Sequence, residues 1–168
     1  MNKIIKKVCR AGVERRRGFT LIELLMVIVI ISVLVAIALP KYIDTVDIAL
    51  GKRAYDSMQT IYAAQMRFSR ENISNNYAFA DSFNSLDVNF PSATLDSNTV
   101  MNFGGKFKIQ LLNTQAVTTG LENYQLVFNF VDETKQCIVA TNANSNKANR
   151  ICAALGGTGG TSGIYNLR

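Results

Sequence analysis

A chain of 168 residues has room for one domain rather than two. Its net charge of +6 sits wholly in residues 1–18, where seven basic residues face one acid, Glu14; of eighteen basic and twelve acidic residues, eleven of each remain for the rest. A neutral body has no basic excess for phosphate, which argues against nucleic acid as a partner. With no histidine, no metal-ligand cluster and no nucleophile–base pair, the sequence offers no catalytic constellation and asks for no cofactor.

The basic tail runs into Phe19–Leu39, 21 residues with a single charge, Glu23. As a helix this segment spans roughly 31 Å, about one bilayer core. Basic residues ahead of an apolar span stay cytoplasmic, so the C-terminal part is exported. The run is longer than the core of a signal peptide, and Ala36, Ala38 and Pro40 make only a weak cleavage signature. On charge and hydropathy alone, a plain N-terminal membrane anchor fits as well.

Pro40 lacks a backbone N–H and crowds the preceding turn, so it is expected to kink the helix. The helix is expected to continue, because Ile43, Val46, Leu50, Ala54, Met58, Ile61, Ala64 or Gln65, and Phe68 recur at helical spacing. One helix from Thr20 to Glu71 follows, apolar all round at first and amphipathic after Pro40. Gly51 is a second soft point within it. Asn72–Asn76 reads as a loop, and residues 73–100 as polar and irregular.

Three strands are expected next: Lys106–Leu112, with Phe107, Ile109 and Leu111 inward; Asn123–Val131, with Tyr124, Leu126, Phe128 and Phe130 on one face; and Gln136–Thr141. Asp132–Lys135 turns between the last two. A small antiparallel sheet with one buried face results, and the amphipathic half of the helix is its natural cover. The fold class is therefore α+β. Gly156–Gly163, "GGTGGTSG", lacks the spacing of a phosphate-binding loop and reads as a flexible surface loop.

Of three cysteines, Cys9 lies in the cytoplasmic tail, leaving Cys137 and Cys152 on the exported side. Two thiols in an oxidising compartment are expected to pair, closing a loop of about 15 residues worth roughly 3 kcal/mol. Two buried free thiols are the alternative.

The stretch "RRRGFTLIELL", a basic leader ending at Gly18 with Phe19 next and Glu23 four residues on, stands at the head of a full-length apolar helix with Pro40 near its end. This resembles the type IV pilin family, which includes the subunits of type IV pili and the pseudopilins of type II secretion. The resemblance covers about the first 45 residues closely and the remainder in layout.

It implies that residues 1–18 are a leader removed between Gly18 and Phe19 by a prepilin peptidase, and that the new amine of Phe19 is methylated. Residues 19–40 would form a transmembrane and then filament-core helix; residues 41–168 would form the periplasmic or extracellular head. Before assembly the chain would rest in the inner membrane, in contact with lipid and the assembly machinery; afterwards it would belong to a homo-oligomeric filament. Glu23, costly in a bilayer, would meet the Phe19 amine of a neighbouring subunit. The segment from Ser32 to Pro40 would be able to unwind on assembly. The role would be mechanical and adhesive, not enzymatic. The alternatives are a secretion pseudopilin, whose major members usually carry an acidic calcium loop and lack this disulfide, and a membrane-anchored periplasmic binding domain.

Overall fold

The computed structural model describes residues 18–72, 78–140, 145–159 and 161–168. The leader before Gly18, with Cys9, and the loop residues 73–77 lie outside the described residues. The chain divides into two compact units, one ending at Pro40 and the other covering Lys41–Arg168.

One helix, α1 (Leu21–Glu71), runs uninterrupted through Pro40. In the first unit its apolar side chains, from Leu21 to Leu39, all stand open to solvent. The single hydroxyl of this stretch, Ser32, is satisfied within the helix by donating to the Val29 carbonyl at 2.7 Å.

In the second unit α1 buries one stripe: Gly51, Ala54, Ser57, Met58, Ile61, Ala64, Gln65 and Ser69. The stripe therefore begins later than its apolar spacing indicates. Ile43 and Val46 stay exposed, because the sheet does not extend to them, and Phe68 is half-buried beside the buried Ser69.

The stripe covers one face of an eight-stranded antiparallel sheet. Its strands are β1 (Thr94–Ser97), β2 (Val100–Asn102), β3 (Lys108–Leu112), β4 (Gln115–Thr119), β5 (Tyr124–Asn129), β6 (Lys135–Val139), β7 (Thr158–Gly159) and β8 (Ile164–Asn166). Each neighbours the next in space except at the end, where the order is β6-β8-β7. A second helix, α2 (Ser145–Ala154), lies between β6 and β7 in sequence.

The alternation expected of the central strands is met: Ile109 and Leu111 of β3, and Tyr124, Leu126 and Phe128 of β5, are buried. Tyr55 and Tyr62 of α1 meet Phe128 edge-on, with ring centres 5.6 and 6.3 Å apart. Gln65 is fully buried and satisfied. Its amide nitrogen donates to the Ala80 carbonyl and its oxygen accepts from the Ala80 N–H, both at 2.8 Å. That pair fixes the chain where it returns to the core after α1.

The sheet is larger than three strands. Within the stretch expected to be irregular, residues 94–97 pair with β2, where Val100 begins a strand. β4 escapes notice because Ala116, Val117 and Thr118 are all buried, so period-two alternation is lost. Thr118 contributes a hydroxyl there, accepting from the Leu126 N–H at 2.8 Å. The glycine-rich tail is likewise no free loop: Thr158 and Gly159 pair with Asn166 and Tyr165, placing β8 against β6.

Cys137 of β6 and Cys152 of α2 form a disulfide, with Cα atoms 5.7 Å apart and both residues fully buried. The sheet's two edges are short. β1 is fully exposed but its register shifts between Leu95 and Ser97, and β7 has two residues.

Candidate functional site: the head of the first helix

Gly18, Phe19 and Thr20 precede α1 as non-helical chain, and all three are exposed. A Cβ built on Gly18 would meet nothing within 4 Å. Phe19 is 79 % exposed, its ring without a partner in this chain's core.

Thr20 is the cap of α1. Its hydroxyl accepts from the Glu23 N–H at 3.3 Å, and the Glu23 carboxylate reaches back to accept from the Thr20 N–H at 3.0 Å and from the Thr20 hydroxyl at 2.9 Å. The helix's first turn leaves backbone donors without intrahelical partners, and this reciprocal pair satisfies two of them. Both bonds to the carboxylate fall on Oε2, so Oε1 remains open to another donor. An acid at a helix N-terminus also faces the favourable end of the helix dipole. Thr-x-x-Glu is a signature visible in the sequence; reading Glu23 solely as an assembly contact passes over it.

Among the described residues no cluster of three or more His, Cys, Asp or Glu could hold a metal. Pro40 lies 17 positions beyond Glu23 on the same helix, and the disulfide belongs to the second unit.

A model of the prokaryotic N-terminal methylation motif matches residues 14–39. The type IV major pilin protein PilA of Myxococcus xanthus is 42 % identical over 57 residues, covering 34 % of this chain and 26 % of that protein. The type IV narrow pilus major component PilA5 of Thermus thermophilus is 64 % identical over 33 residues, covering 20 % of this chain and 28 % of that protein. The chain thus matches about a quarter of the length of these curated relatives. No solved structure matches. The motif match takes in the capped head of α1, and the chain is similar to these type IV pilins over stretches of 33 to 57 residues.

Proposed function

We propose that the chain is the structural subunit of a type IV pilus or pilus-like filament, entered through α1 after cleavage between Gly18 and Phe19. The observation that carries the reading is the pairing of an apolar helical stretch exposed from Leu21 to Leu39 with one carboxylate held at its head. An exposed surface of this kind needs a partner, first lipid and then the same helix of other copies. The open Oε1 of Glu23 suits the amine that cleavage would create at Phe19 of a neighbour. Residues 19–40 then supply the membrane span and filament core, and residues 41–168 the exported head. Pro40, which gives no N–H to the Ala36 carbonyl, is the place where the helix would bend or open on assembly. Prepilin peptidase and the inner-membrane assembly machinery are the partners this route requires.

N-terminal sequencing and intact mass of protein sheared from the cell surface test it. The expected product begins at methylated Phe19 and comes from visible filaments. Protein that keeps its leader in the membrane fraction, with no filaments, would overturn the reading in favour of an anchored binding domain. Filaments retained by a deletion strain that loses secretion would point to a pseudopilin.

A further inference from the structure

α2 is tied on one side and presses on another. Cys152 joins it to Cys137 in β6. Just beyond it, a Cβ on Gly157 would stand 2.7 Å from the Cys152 carbonyl oxygen, so the chain leaving α2 folds tightly back upon it.

On its other side α2 meets the early turns of α1 in the second unit. Lys147 Nζ lies 2.5 Å from Asp47 Oδ2, an atom shut off from solvent, and Arg150 Nη1 lies 3.1 Å from Asp44 Oδ2. The acids are three positions apart on α1 and the bases three apart on α2, so the two bridges match one turn of each helix. Ile151 fills the space beside them. Its Cγ2 approaches Gly51 so closely that a Cβ there would stand 2.9 Å away. The first buried residue of α1 is Gly51. Ahead of it, among the described residues, the side-chain ion pairs that leave α1 from Asp44 and Asp47 go to α2.

We propose that α2 is a disulfide-held clasp that sets where α1 comes free of the head. With the clasp closed, α1 is held from Asp44 onward. With it open, the first buried residue holding α1 is Gly51, about two helical turns later, with only the half-buried Ile48 and Leu50 packed ahead of it.

The physical reason lies in the weakness of each part alone. A helix of ten residues is marginal in water by itself. Partly exposed ion pairs contribute little unless both partners are already in place. The covalent tie at Cys152 keeps α2 folded against β6, and that makes the two bridges and the Ile151 contact possible. The proposal concerns the head alone and stands whether or not the chain enters a filament.

Hydrogen exchange on the full chain in detergent micelles tests it, comparing wild type with C137A/C152A and with D44N/D47N. In both variants the α1 amides from Asp47 to Leu50 are expected to exchange at least about tenfold faster, while those of Leu126 and Phe128 keep their protection. Unchanged exchange of the Asp47–Leu50 amides in either folded variant would overturn the clasp. So would a uniform loss across Met58, Ile61 and β5, which would make the disulfide a staple for the whole head. Should C137A/C152A fail to fold, D44N/D47N decides alone, because its disulfide and α2 remain.

Discussion

Thr20 and Glu23 satisfy each other across the first turn of α1: the threonine hydroxyl accepts from the Glu23 amide, and the glutamate carboxylate accepts from both donors of Thr20. Glu23 thus has a partner within its own chain before any neighbour arrives. Thr20 holds the side chain by one oxygen and leaves the other presented.

Replacing Thr20 should therefore affect assembly through Glu23. Thr20→Ala keeps the Thr20 N–H but removes the hydroxyl that both caps the helix and holds the carboxylate. Filament yield by shearing and microscopy is expected to fall severalfold, less than for Glu23→Ala, with both proteins still membrane-inserted. Thr20→Ser, which keeps the hydroxyl, should restore yield. Equal loss in the serine and alanine variants would show that the methyl group, not the hydroxyl, is what matters.

Gly51 offers a test with opposite signs. As a soft point in a helix, glycine replaced by alanine should stabilise by about 1 kcal/mol. The structure instead places Gly51 under the Tyr124 hydroxyl and Ile151: a Cβ would stand 2.8 Å from one and 2.9 Å from the other. Overpacking of a fitted contact costs about 1–3 kcal/mol, which outweighs the helix gain in most of that range. Gly51→Ala is expected to lower the stability of the head in denaturant titrations. Adding Tyr124→Phe, which removes the obstructing oxygen, should recover part of the loss. A stabilised Gly51→Ala would refute the packing role.

Alkali should weaken the head in a defined window. Burial, aided by the Asp47 charge, pushes the Tyr124 hydroxyl up from 10.0 to about 12. The hydrogen bond to Asp47 raises Lys147 above 10.5. Both groups hold their protons longer in the folded chain than in the unfolded one. Their contribution is therefore complete below the unfolded values and is lost as pH climbs through the folded ones. Thermal melts should fall from near pH 10 toward about 12. Tyr124→Phe and Lys147→Gln should each make that fall shallower. Profiles parallel to wild type would mean that neither group is linked to folding.

What was legible in the sequence follows from how local each signal is. Tyr124, Leu126 and Phe128 alternate along a strand whose other face meets solvent, so period-two reading finds them. The α1 stripe is legible in period but not in extent, because burial of Ile43 and Val46 depends on how far the sheet reaches. α2, "SNKANRICAA", has low overall hydrophobicity; Ala148, Ile151 and Cys152 do recur at helical spacing, yet the bases that define its role are matched by acids about a hundred positions earlier. The cysteine pairing was legible because compartment reasoning left two candidates. At the head of α1, Gly18, Phe19 and Glu23 stood out, whereas the modest Thr20 did not.

The two edges of the sheet bear on crowding. Subunits stacked along a fibre hold identical sheets at very high local concentration, the condition under which exposed edges zip together in the wrong register. Here β1 breaks its register between Leu95 and Ser97 and places Asp96, bridged to Lys108, at the break, while β7 offers two residues, one of them a glycine. Neither edge gives a neighbour a long straight template. In the filament proposed above, order would then be left to the apolar helices, and the sheets could lie side by side without joining.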